Sequence, residues 1–92
     1  MHVTVNYLAQ IKRAAECGSE SVEAHEPMTL REFLRSLAPR HNGNFRAMLL
    51  DDAGEPHKSL LFFVGDEHAD LSRPLADGDA ITILAPMSGG QS

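Results

Sequence analysis

The residues best placed to do chemistry stand at the end of the chain, in Ile81-Thr82-Ile83-Leu84-Ala85-Pro86-Met87-Ser88-Gly89-Gly90, followed by Gln91 and Ser92. A short β-like run gives way to a proline, and Met87 is the last apolar residue before the glycine pair. Glycine has no Cβ, so such an end can extend through a narrow channel and take backbone angles closed to other residues. A chain needs this if its own terminal carboxylate is to be threaded into another protein's active site. The competing structural reading is a frayed, glycine-containing terminus.

Other chemistry-bearing residues give weaker patterns. The five histidines, His2, His25, His41, His57 and His68, lack metal-ligand spacing, and Cys17 has no second cysteine for a CxxC pair. No metal site is expected. Nothing near Cys17 in sequence marks a base that would activate it as a nucleophile. Asp51, Asp52 and Glu55, and likewise Asp66, Glu67 and Asp70, lack the loop signature of a Ca²⁺ site and read as turn residues. A formal charge of −5 with no Lys/Arg run argues against nucleic acid or an anionic membrane as partner. A lone cysteine makes no internal disulfide, which suits a reducing compartment. The first residues enter strand-like alternation directly, with no apolar leader or long apolar stretch, so a cytoplasmic location is expected.

The elements that must position the glycine end follow from periodicity. In residues 2–8, Val3, Val5 and Tyr7 alternate with His2, Thr4 and Asn6, a half-buried strand. Residues 9–17 read as a short helical or turn-like link closed by Gly18-Ser19. Residues 21–25 read as a second strand with Val22 and Ala24 inward, paired antiparallel with the first. Thr29 and Glu32 form a capping box ahead of Leu30, Phe33, Leu34, Leu37 and Ala38, one apolar stripe at helical spacing. Pro39 is expected to close that helix. Residues 41–44 read as a loop and 45–50 as an apolar run. Residues 59–64 form a strand, Gly65-Asp66 a hairpin turn ending near Ala69, Asp77-Gly78-Asp79 a turn, and 80–84 the final strand. The order β-β-α-β-(short β)-β points to an α+β, β-grasp (ubiquitin-like) fold. It has a mixed sheet of four to five strands on one main helix, with residues 1–84 as the domain and 85–92 as a flexible C-terminal tail.

Several of these segments line up with a known family. Val3-Thr4-Val5-Asn6-Tyr7-Leu8-Ala9, Thr29-Leu30-Arg31-Glu32-Phe33-Leu34, Phe63-Val64-Gly65-Asp66 and above all Leu75-Ala76-Asp77-Gly78-Asp79 through Gly90 resemble the MoaD/ThiS sulfur carriers of molybdopterin and thiamine biosynthesis. The resemblance implies a carrier, not an enzyme, although the small subunit of a synthase such as molybdopterin synthase is also of this kind. It implies that Gly90, preceded by Gly89, bears a carboxylate that an E1-like partner adenylates with ATP and that is then converted to a thiocarboxylate. The sulfur passes to a sulfur-accepting synthase, and no cofactor is bound by the carrier itself. Residues 85–90 can reach at most roughly 20 Å, and Pro86 keeps that root from folding back as helix.

One departure matters. The family usually stops at the second glycine, whereas Gln91 and Ser92 follow here, so Gly90 carries an amide carbonyl. Cleavage between Gly90 and Gln91 is then required, and some relatives with an overhang are trimmed by a JAMM-type zinc metalloprotease. The alternatives are that the last two residues are a cloning addition, or that the protein is a ubiquitin-like modifier or a non-catalytic β-grasp interaction module. Phe62 and Phe63 are adjacent in a strand and must point to opposite faces. Whichever faces away from the helix joins Leu61, Leu84, Pro86 and Met87 as a candidate partner-docking surface.

Overall fold

The computed structural model describes residues 1–85. Pro86, Met87, Gly89, Gly90 and Gln91, and with them the expected tail and cleavage position, lie outside the described residues. Strand β1, His2–Ala9, buries Val3, Val5 and Tyr7 on one face, as a period of two requires. Helix α1, Gln10–Ala15, leads to β2, Ser19–Glu23. That strand starts and ends two residues earlier than its alternation suggested, because its ladder with β1 pairs Asn6 with Ser19 and His2 with Glu23. The shift leaves Ala24 beyond the strand and puts Glu20 on the same face as Val22.

Helix α2, Leu30–Leu37, buries Leu30, Phe33, Leu34 and Leu37. Removing those four side chains from water is worth about 6–12 kcal/mol before conformational entropy is charged against it. The capping box is present in both directions. The Glu32 backbone N–H donates to Thr29 Oγ1 at 3.3 Å, and the Thr29 N–H donates to Glu32 Oε1 at 2.9 Å. Pro39 does not simply end the helix: it lies in a 3₁₀ turn, Ala38–Arg40, that continues from α2. A proline fits the opening of such a turn, where its missing N–H costs nothing. The stretch read as a loop and apolar run is instead helix α3, Gly43–Leu49, with Asn42 Oδ1 accepting from the Phe45 N–H at 2.9 Å as the N-cap.

Strands β3, Leu61–Val64, and β4, Glu67–His68, form a hairpin, and β5 covers Ala80–Ala85. Gly65 takes the first position of the hairpin turn at φ +61°, a conformation that favours glycine. The sheet order is β2-β1-β5-β3-β4, with β5 parallel to β1 at the centre and the other neighbours antiparallel. This is the mixed sheet of the β-grasp fold. The Asp77-Gly78-Asp79 turn sets the central parallel pairing. Asp77 Oδ1 accepts from the His2 N–H at 2.7 Å, the Gly78 N–H donates to the His2 carbonyl at 2.8 Å, and the Thr4 N–H donates to the Asp79 carbonyl at 3.0 Å. The chain is thus locked beside β1 before β5 begins. Among the described residues no helix is long and apolar enough to cross a membrane.

Candidate functional site

The helices cover one face of the sheet and leave the other open. Parity along each strand decides what the open face shows. On β3, Phe62 and Val64 are buried, while Leu61 and Phe63 point away from the helices. Phe62 pairs with the buried Ile83 and belongs to the core, so of the two phenylalanines only Phe63 is available to a partner. Leu84 stands on the open face between Leu8 of β1 and Leu61 of β3, its register partners on either side. Leu8 is 45% and Leu61 37% exposed, the two large apolar side chains most open to solvent among the described residues. The next row is Asn6, Thr82 and Phe63, with His68 beyond it, its ring edge-on to Phe63 at 5.6 Å. The structure therefore brings Phe63 and Leu84 together with Leu61, as expected from the sequence, and adds Leu8. Leu8 was legible in principle, since the alternation that buries Tyr7 must turn Leu8 outward.

The leucine row lies at the C-terminal end of β5. Ala85, directly after Leu84, is the last described residue of β5 and pairs with Ala9. Ala9 has φ 60° and ψ −135°, a combination that costs a residue with a Cβ on the order of 1–3 kcal/mol. It marks the sharp change from β1 into α1 at the point where β5 ends.

On the covered side, one polar cluster interrupts the core. The Tyr7 hydroxyl, on a side chain buried almost completely, donates to Glu20 Oε2 at 2.5 Å, and His41 Nε2 contacts the same oxygen. Arg40 lies 4.0 Å from Glu20 Oε1, and Phe45 packs against both the Tyr7 and His41 rings. Burial pushes the Tyr7 hydroxyl well above the ordinary tyrosine range, helped by the bond to Glu20. Burial also pushes the Glu20 carboxyl up. The bonds from Tyr7 and His41 and the charges of His41 and Arg40 outweigh it, and the net shift is downward. Burial, then the Glu20 charge, raises the Cys17 thiol, which works against a nucleophilic thiolate. The cluster ties β1, β2 and the turn after α2 together and faces away from the open side. Among the described residues no group of three or more His, Cys, Asp or Glu side chains could hold a metal ion.

Comparison with known proteins agrees with this fold. The chain is similar to small archaeal modifier protein 1 of H. volcanii, with TM-score 0.84, 21% identity, and coverage of 94% of this chain and 98% of that one. It is similar to a chain in the complex of subunits 1 and 2 of the molybdopterin-converting factor from Helicobacter pylori, with TM-score 0.63, 26% identity, and coverage of 98% and 100%. A third similarity is to a chain of the BexX/CysO complex from Amycolatopsis orientalis, with TM-score 0.64, 30% identity, and coverage of 96% and 99%. No curated protein sequence matches. Residues 5–90 match the family described as the ThiS family, a span that takes in the second half of the first strand, the capped helix and both glycines. The chain belongs to the ThiS family.

Proposed function

We propose that the protein is a sulfur carrier whose working atom is the carbonyl carbon of Gly90. The observation that carries this reading is that the family match runs through residue 90 and so takes in the glycine pair. Hydrolysis of the Gly90–Gln91 peptide bond, by a peptidase such as a JAMM-type zinc metalloprotease, first frees the Gly90 carboxylate. An E1-like partner then joins that carboxylate to the α-phosphate of ATP and releases pyrophosphate. Adenylation converts an inert carboxylate into an electrophile. A sulfide equivalent adds to the carbonyl carbon, AMP leaves, and a thiocarboxylate remains for transfer on a sulfur-accepting synthase. Gly89 and Gly90 suit a narrow channel because a side chain at either would crowd it.

Leu8, Leu61, Phe63 and Leu84 are the proposed docking surface, with Pro86 and Met87 continuing it along the tail. The similarity to chains found in complexes with a second protein supports a carrier that works while held by a partner. A second reading, conjugation of Gly90 to lysines of other proteins, draws on the likeness to a small archaeal modifier protein. The test is ATP–pyrophosphate exchange by the cognate activating enzyme, with the chain ending at Gly90 compared with the chain ending at Ser92. Exchange with the first alone is expected. Exchange with neither, or equally with both, would overturn the carrier reading.

A further inference from the structure

The sheet has a second opening, at the β4 edge. Strand β4 is two residues long and pairs only with Phe63 and Val64. The Ala69 N–H still donates to the Phe62 carbonyl at 2.9 Å, after which the chain turns away through residues 70–73. Arg31, from the first turn of α2, borders that turn, its N–H donating to the Leu71 carbonyl at 3.0 Å, and Pro56, His57 and Lys58 come from the loop before β3. The gap between them is a groove of about 540 Å³, within the range of about 300–1,000 Å³ usual for binding clefts.

Its floor is apolar, made by the buried side chains of Leu60, Phe62 and Ala69. Its charges are unevenly committed. Asp70 Oδ1 is turned onto its own loop, accepting from the Ser72 N–H at 3.0 Å and the Ser72 hydroxyl at 2.6 Å. Arg31 is paired with Glu55, and His57 Nε2 lies 3.0 Å from the Ala47 carbonyl oxygen. Lys58 is exposed and, among the described residues, has no carboxylate within ion-pair distance. The groove therefore offers one uncommitted cation above an apolar floor, on a chain whose net charge is −5.

We propose that this groove binds an extended segment of a protein partner in which an apolar side chain is flanked by a carboxylate. The apolar side chain fills the space over Leu60, Phe62 and Ala69, and the carboxylate pairs with Lys58. Leu61 lines the groove and also ends the leucine row on the open face, next to the tail root. A partner seated on that face can thus reach the groove with one segment of its chain. In this respect the inference rests on the docking surface proposed above.

The test titrates the full ¹⁵N-labelled chain with an acetylated, amidated Ser-Asp-Leu-Phe-Asp-Ser peptide. The controls are the same peptide with lysine in place of aspartate, and inorganic phosphate. Saturable shifts are expected at the amides of residues 58–62 and 68–72. Lys58→Glu should weaken binding by about tenfold, the loss of roughly one charge-assisted contact, and Leu61→Ser should weaken it independently. Both residues are exposed, so neither change should unfold the chain. The proposal is overturned by absence of shifts up to about 5 mM peptide, the weak end of specific association, by equal shifts from the lysine peptide, or by phosphate alone reproducing them. None of these readouts uses the tail, ATP or an activating enzyme, so loss of the groove and loss of the carrier reading are separable results.

Discussion

Two rows of residues run side by side across the same three strands and meet opposite fates. Tyr7, Ile83 and Phe62 form one row and are covered by the helices. One residue further along β1 and β5, and one earlier on the antiparallel β3, Leu8, Leu84 and Leu61 form the other row and face out. The first row is what folding requires, since its burial contributes to the core free energy. The second contributes little while uncovered and keeps apolar area in water at the C-terminal end of β5. Exposed apolar residues that folding does not use are what the proposed docking surface requires.

The largest effect that would sharpen this contrast comes from truncating each row at its centre. Ile83→Ala should cost about 2–5 kcal/mol, the range for a fully buried isoleucine. At about 4–8 °C per kcal/mol for a domain of this size, the thermal midpoint would fall by about eight degrees or more. Leu84→Ala, its neighbour on the open face, should change stability by about 0.5 kcal/mol or less and instead weaken binding to the activating partner. Equal losses of stability from the two would erase the distinction between the faces.

The covered face also contains the Tyr7–Glu20–His41 cluster, and disrupting it should give the next largest effect. Glu20→Ala leaves the buried Tyr7 hydroxyl without its acceptor, at a cost of about 1–3 kcal/mol. The pH dependence has a defined sign. The carboxyl of Glu20 is held below its ordinary value in the folded chain, so its contribution is present above the usual carboxylate range and is lost as pH falls through the folded value. Chemical denaturation from pH 7 down to about pH 3 should therefore show a steeper acid loss for the native sequence than for Glu20→Gln. Parallel profiles would show that the carboxylate is not linked to folding.

The smallest expected effect concerns the tail root. Ala9→Gly relieves the φ 60°, ψ −135° backbone while adding unfolded-state entropy, for a net gain of up to about 1 kcal/mol in urea denaturation. A loss of stability of that size would mean that the strained turn is not formed in solution.

These contrasts also show which features a single chain makes legible. The first strand, the Thr29–Glu32 capping box and the α2 stripe were readable because each is fixed by residues within one or two turns of one another. The early start of β2 was not, because Gly18-Ser19 looks like punctuation and only the ladder with β1 draws Ser19 and Glu20 into the sheet. Glu20 was thereby missed as an inward-facing acid, although it shares the parity of Val22. Helix α3 was hidden by Gly43 and Asn44 at its start, even though Asn42 is a good cap and Phe45 and Leu49 are spaced one turn apart. Which phenylalanine faces out was open until the pairing with β5 fixed the parity of β3. The proposed role of the glycine pair and Gln91 rests on chemistry at the end of the chain, which folding forces do not encode.

That chemistry is open to a direct measurement: the intact mass of the protein isolated from its own cells. The account predicts a chain that has lost Gln91 and Ser92, with a fraction of molecules heavier by the difference between sulfur and oxygen at Gly90. Protein that persists only with Gln91-Ser92 attached, or is found only as adducts joined through Gly90 to other proteins, would contradict it.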